Sequence, residues 1–195
     1  YIGVWQVRLG RVDIYLLCCD VEGNMPQDRQ LCARLYTADQ EQRIQQEITL
    51  GIGGVRVLRA LGIKPSVWHA NEGHNAFMML ERVREEVEKG ATFIEALQKV
   101  QATTVSTTHT SVAAGHDIFP IPLVEKYFHS YWESLGISRE TFLELGRQDG
   151  ASDQSFNMTA LALRMADHRN AVSQLHGKIT RRMWHGLWPE VKENE

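Results

Sequence analysis

The chain has 195 residues, 43% of them hydrophobic and 23% charged, with a formal net charge of −3. This composition suits a globular fold with a real core, and its interspersed acids and bases form neither a stripe for nucleic acid nor a polybasic membrane tail. The apolar runs are too short to span a bilayer, no signal-peptide pattern opens the chain, and three cysteines, with Cys18 beside Cys19, make no disulfide framework; the expected setting is a reducing cytoplasm.

The first residues, Tyr1-Ile2-Gly3-Val4-Trp5, already lie inside an apolar run and include no initiator methionine, and a charged tail follows Trp188-Pro189. The expectation is one domain, residues 1–195, taken from a longer chain. Residues 2–9 and 12–17 read as two strands around Gly10-Arg11, a hairpin. Residues 20–40 are polar and turn-rich, with a short helix expected near Asp28–Leu35. From 41 to 61 the spacing of Ile44, Ile48, Ile52, Val55, Leu58 and Leu61 predicts a helix. Gly51, Gly53 and Gly54 interrupt it at about 1 kcal/mol each against alanine, so close backbone packing is the expected reason.

Ser66–His69 reads as a buried strand and 74–89 as a helix with Phe77, Leu80, Val83 and Val87 inward, ended by Gly90. Thr92 and Glu95 form a capping box for a helix that buries Phe93, Ala96, Leu97 and Val100. Thr104–Thr107 is a further strand. Pro122 opens a helix carrying Val124, Tyr127, Phe128, Tyr131 and Leu135, and Ser138 caps another over 139–147. A polar connection, 146–155, leads to a helix over 156–167, a short stretch at Arg169–Val172 and a helix over 174–186. Helices alternating with short apolar strands predict an α/β layer fold with a mostly parallel sheet, whose ligands bind beyond the carboxyl ends of the strands.

Polar groups stand at two such ends. His69-Ala70-Asn71-Glu72-Gly73-His74 admits three readings: a helix start capped by Asn71, a site whose carboxylate, amide and imidazoles bind sugar hydroxyls, or a zinc site. The zinc reading lacks the His-Glu-x-x-His pattern and a third ligand at a diagnostic spacing. Thr107-Thr108-His109-Thr110 is either a surface turn or a lone histidine presented at a strand end. His116-Asp117 suits a plain turn, Asp39-Gln40-Glu41 caps the helix that follows, Arg43 and Glu47 suit a solvated face, and Trp184 and Trp188 suit core or interface. No phosphate-binding glycine loop, no nucleophile elbow and no lysine in a cofactor setting is present. The residues themselves reach an α/β domain with polar groups on one sheet edge.

Several segments, in order and over nearly the whole chain, resemble the α-glucan (glycogen, starch and maltodextrin) phosphorylase family, in its bacterial and archaeal branch. They include Asn24-Met25-Pro26-Gln27-Asp28-Arg29, Arg34-Leu35-Tyr36, Asp39 to Glu47, Leu50 to Arg56, His69 to Phe77, Thr107 to Thr110, Phe156-Asn157-Met158-Thr159, Asn170 to Gly177 and Arg181-Arg182-Met183-Trp184. The resemblance implies a Rossmann-like fold within the N-terminal domain of a two-domain GT-B glycosyltransferase. It implies an enzyme that cleaves terminal α-1,4-linked glucose with inorganic phosphate to give glucose 1-phosphate. Its pyridoxal phosphate is held by a lysine of a C-terminal domain that this sequence does not reach. The implied partners are the glucan, phosphate and that C-terminal domain; a homo-oligomeric parent is compatible with it.

By the same resemblance His109 matches the histidine that binds the reacting glucosyl unit, and Asn71 and Glu72 match the family's Asn-Asp pair beside it, with Glu72 expected to orient His109. Thr110 and His74 belong to the substrate-facing set, and Asp39 and Gln40 fall where the family has its mobile gate loop. The sequence departs from the family at Cys18-Cys19, Thr37-Ala38, Ser111 and Ala171. The chain alone is expected to be inactive. Two rivals make other demands: a stand-alone carbohydrate-binding or regulatory module needs glucan affinity from this chain, and a zinc hydrolase using His69, His74, Glu72 and His109 needs stoichiometric metal.

Overall fold

The computed structural model describes residues 1–35, 37–112, 115–148 and 154–192, and they gather into two compact units, Tyr1–Lys64 and Pro65–Glu195. Tyr36, half of the expected polar connection (149–153) and the tail at 193–195 lie outside the described residues. Among the described residues no helix is long and apolar enough to cross a membrane.

The first unit opens with the expected hairpin, β1 (Gly3–Leu9) and β2 (Val12–Cys18), antiparallel with Leu9 opposite Val12. Gly10, at φ +62°, supplies the left-handed turn residue. Trp5, Val7 and Leu9 pair across with Leu16, Ile14 and Val12, so one face of the ribbon carries six apolar side chains, all exposed. The short helix α1 (Pro26–Arg29) forms upstream of its expected place, because Pro26 fits the first turn, where no amide proton is needed.

Asp39 caps α2 (Gln40–Ile48), accepting from the backbone N–H groups of Glu41 (2.8 Å) and Gln42 (3.0 Å). The helix continues through a π-helical turn, Thr49–Gly53, into α3 (Gly54–Ala60). The wider turn falls on the expected glycines. A Cβ on Gly53 would lie 2.7 Å from Ile2 Cδ1, so there the close packing inferred from sequence is present. Ile44, Ile52 and Val55 are buried as their period requires. The Arg43–Glu47 pair is not on a solvated face: Glu47 is 1% exposed and its carboxylate lies 3.0 Å from Arg43 Nε. Glu47 stands three residues from Ile44, on the same helix face, and the guanidinium goes in with it.

The second unit holds the parallel sheet. Its strands β3 (Trp68–Asn71), β4 (Thr104–Thr108) and β7 (His168–Ala171) lie in the order β3-β4-β7 with β4 central. Helices α4 (Phe77–Glu88) and α5 (Phe93–Ala102) make the crossover from β3 to β4, the latter started by the expected Thr92/Glu95 capping box. Between β4 and β7 come β5 (Ile118–Pro120), α6 (Ile121–Phe128), α7 (Tyr131–Ser134), α8 (Arg139–Leu145), β6 (Ser155–Asn157) and α9 (Met158–Arg164). Helix α10 (Gln174–Trp184), capped by Ser173, follows β7.

The expected helix over 122–135 is two helices, broken at His129-Ser130. The expected helix over 156–167 starts two residues late. Phe156 and Asn157 belong to β6, antiparallel to β5, and Asn157 is the cap, accepting from Thr159 N–H at 2.9 Å and Ala160 N–H at 3.1 Å.

The core of this unit contains an aromatic cluster. The Phe128 ring lies 4.7 Å from that of Phe77, 5.3 Å from Phe142 and 5.4 Å from Tyr131, and Phe142 stacks on Phe156 at 5.7 Å. Beside it Glu81 is fully buried, held by Arg84 (2.9 and 3.1 Å) and by the Tyr131 hydroxyl, which donates at 2.7 Å. A charge this deep is tolerated only with partners of that kind.

Candidate functional site

Because β3 and β4 are parallel, their carboxyl ends lie at one edge of the sheet, and the two polar segments named from sequence leave the sheet together there. Asn71 pairs with Thr107 in the ladder, and Glu72 N–H extends it by donating to the Thr107 carbonyl at 2.9 Å. Glu72 then turns left-handed, at φ +64°, the one described non-glycine residue with positive φ. That conformation costs a side-chain-bearing residue roughly 1–2 kcal/mol.

The turn points the carboxylate across to the end of β4. Glu72 Oε1 accepts from the backbone N–H of His109 and from Thr110 Oγ1 (3.2 Å), and lies 3.4 Å from His109 Nδ1. Glu72 is largely covered, whereas the His109 ring stays about half exposed. The arrangement is a carboxylate held by two donors at the end of β4, beside an imidazole that stays about half exposed.

Asn71 is not the helix cap. Helix α4 begins at Phe77, its cap position is Ala76, and no side chain caps it. The chain instead makes a turn over 72–76. With its amide oriented to suit its neighbours, Asn75 accepts from Asn71 N–H at 3.1 Å and donates to the Glu72 carbonyl at 3.2 Å. His74 is half-buried within this turn, and Asn71 is exposed at the strand end.

Gly73 passes against the start of α9. A Cβ there would meet Thr159 N at 2.8 Å and the Met158 carbonyl carbon at 2.9 Å, both backbone atoms. Gly73→Ala is therefore expected to cost about 1–3 kcal/mol through overpacking, read as a lowered urea midpoint at unchanged slope.

Asp39 and Gln40 belong to the first unit. There Asp39 is the helix cap already described and Gln40 the first residue of α2, both exposed. His69, His74, Glu72 and His109 do not form a metal cluster: among the described residues no group of three or more His, Cys, Asp or Glu is placed to hold a metal ion.

Two arrangements escape the sequence reading. His69 Nε2, Thr107 Oγ1 and Asn170 Oδ1 form a line across β3, β4 and β7 with 2.5 Å steps. Thr107 has one hydroxyl proton and gives it to Asn170, so His69 donates from Nε2. The register that puts Asn170 opposite Thr107 creates this line, and no local spacing reveals it.

His116, read from sequence as part of a turn, is half-buried. Its Nδ1 bonds Thr159 Oγ1 at 2.9 Å and its ring meets Trp184 edge-on at 5.0 Å. Trp184 itself is core, packed with Ala160 and Leu163. A cleft of about 420 Å³ runs beside it between β7 and α10, lined among others by Thr108, Arg169 and Trp188, with the Arg169 guanidinium 4.5 Å from the Trp188 ring centre.

Burial holds the His116 imidazole below its usual pKa of 6.5, with the nearby charges of Glu72 and Asp117 opposing in part. The unfolded chain thus takes up this proton more readily than the folded one. The contribution to stability is full above pH 6.5, and declines as pH falls below it until the folded imidazole also protonates. His116→Gln is expected to flatten the fall in thermal midpoint between about pH 7 and pH 5 relative to the parent.

Across its whole length the chain is 50% identical, over 195 residues, to maltodextrin phosphorylase of Thermococcus litoralis, of which it covers 23%. It is 36% identical over 194 residues to glycogen phosphorylase of Aquifex aeolicus, covering 28% of that protein and all of this chain. It is 41% identical over 204 aligned residues to glycogen phosphorylase of Mycobacterium tuberculosis, with 98% of this chain and 23% of that protein covered. No family model matches the chain. The chain spans about a quarter of the length of these curated relatives. Over its full length the chain is homologous to one portion of the maltodextrin and glycogen phosphorylases of archaea and bacteria.

Proposed function

We propose that this sequence forms one wall of the glucosyl site of an α-glucan phosphorylase, an enzyme that uses inorganic phosphate to release terminal α-1,4-linked glucose as glucose 1-phosphate. The observation that carries the reading is the Glu72 carboxylate bonded to the His109 backbone and 3.4 Å from its ring. It fits a histidine whose position is fixed by the strand end and whose exposed edge meets a sugar hydroxyl. Donors and acceptors preset in this way stabilise charge developing on a sugar without reorganising as it forms. In this reading His109 and Thr110 contact the glucosyl unit, Asn71 and His74 flank it, and Glu72 positions His109. Asp39 and Gln40 start the helix behind a gate segment.

The wider frame belongs to the same proposal: a Rossmann-like layer within the N-terminal domain of a GT-B enzyme, in the cytoplasm, completed by a C-terminal domain. Pyridoxal phosphate, which the family resemblance implies, needs a lysine enclosed beside the reacting groups. All six lysines of this chain are exposed. The residues here do not fit that group. Half a cleft also gives little binding that favours the transition state over the ground state.

Maltooligosaccharide and phosphate, offered to the complete protein and separately to the 195-residue chain, test the reading. Glucose 1-phosphate is expected from the first and none from the second. Strong maltooligosaccharide binding by the chain alone, without any phosphorolysis by the complete protein, would instead establish a carbohydrate-binding module.

A further inference from the structure

The first unit contains a pair of thiols that the proposed function does not use. Cys19 follows β2 and is 5% exposed; Cys32, thirteen residues on, is exposed. Their sulfurs lie 3.4 Å apart. Both sides of the pair are pinned. The Cys19 carbonyl accepts from Asn24 Nδ2 at 2.8 Å, and the turn around Cys32 is tied to α2 by Gln46 Nε2, which donates to the carbonyls of Leu31 and Arg34, each at 2.8 Å. Cys18 is half-buried and also free.

We propose that Cys19 and Cys32 form an oxidation site that closes to an intramolecular disulfide on reaction with a small-molecule disulfide. The Cys32 thiolate, the exposed partner, attacks one sulfur of the oxidant RSSR, giving a mixed disulfide and one thiolate RS⁻. Cys19 then loses its proton and attacks the Cys32 sulfur, forming the Cys19–Cys32 bond and expelling the second RS⁻. In total two protein thiols and RSSR become one protein disulfide and two RSH. The sulfurs need to close from 3.4 Å to roughly 2.0 Å, a short movement for two side chains.

The order of attack follows from exposure and from protonation. Burial, reinforced by its contact with Cys32, pushes the Cys19 thiol up to about 11, so it stays protonated and acts second. In a reducing compartment the pair remains open. Under an oxidant it staples the end of β2 to the segment that leads into the Asp39 cap, closing the loop over residues 20–31. This goes beyond the glucosyl-site reading and does not depend on it.

The test is the complete protein that carries this sequence, incubated folded with oxidised glutathione in excess, then assayed at these three cysteines by thiol labelling and peptide mass. Two of the three thiols are expected to disappear together, without retained glutathione, with a cross-linked peptide joining Cys19 to Cys32. Dithiothreitol should restore all three. Cys18→Ser should leave the cross-link in place, and Cys32→Ser should abolish it. A glutathione adduct persisting on Cys32, a linkage through Cys18, or three thiols unreacted while the urea-unfolded chain oxidises would each overturn the proposal.

Discussion

His109→Ala in the complete enzyme that carries this sequence is expected to lower kcat/KM for phosphorolysis by about 10²–10³-fold, the scale for loss of one preset group at a reacting centre. The side chain stands at the end of the central strand, half exposed, with its backbone N–H committed to Glu72, so truncating it leaves the strand and the Glu72 contact intact. The loss should therefore appear in the rate of glucose 1-phosphate release with little change in thermal midpoint. Glu72→Gln asks the narrower question of position. Glutamine keeps an oxygen that can accept from His109 N–H and Thr110 Oγ1 and loses only the charge facing Nδ1. A fall of roughly tenfold in kcat with KM nearly held is the expected signature of a group that acts on its neighbour. Full activity in His109→Ala, in a variant shown to be folded, would remove the glucosyl-site reading.

What the sequence disclosed and what it hid divide along the range of the interaction. The hairpin at Gly10, the capping box of Thr92 and Glu95, the Ser138 and Asp39 caps and the periodic helix from 40 to 60 all rest on contacts within a few residues, and each is legible in spacing. The two strands read at 66–69 and 104–107 were legible to within two residues, since β3 runs Trp68–Asn71 and β4 Thr104–Thr108, and the polar segments that follow them stand out by residue type. The β5–β6 pair was not. Ile118–Pro120 is three residues long and finds its partner almost forty residues away, so Phe156 and Asn157 read as helix until Phe119 stands opposite Phe156. The same limit hid the His69–Thr107–Asn170 line and the burial of His116, both of which depend on register between strands or on the approach of α9 and α10.

The candidate site shows where local and distant information meet. The segment from Asn71 to His74 stands out by its residue types, but of its three readings the cap for the next helix does not match the backbone, since α4 begins at Phe77. What the structure adds is the left-handed Glu72 and the fit of Gly73 against Thr159 N. A strained residue beside a glycine that admits no Cβ is a turn determined by its surroundings, and its product is the direction of one carboxylate.

The largest stability effect is expected at Phe128. Its ring is 1% exposed and contacts the rings of Phe77, Tyr131 and Phe142, joining α4, α7 and α8 around the end of α6. Phe128→Ala removes the piece common to all three contacts, and a well-packed interior collapses only in part around such a loss. A cost of about 3–5 kcal/mol follows, a large share of the 5–15 kcal/mol that typically separates folded from unfolded domains. Phe128→Leu, which retains most of the volume, should cost much less, and urea midpoints at constant slope give the comparison. Tyr131→Phe separates packing from polarity in the same cluster: it keeps the ring against Phe128 but removes the hydroxyl that donates to the fully buried Glu81. Arg84 still holds that carboxylate, so the cost should be that of one hydrogen bond to a charged group, about 1.5–3 kcal/mol, below the cost of Phe128→Ala. A Phe128→Ala chain as stable as its parent would mean that the aromatic cluster is not what holds the second unit together, and the parallel sheet with its two crossover helices would have to carry the fold alone.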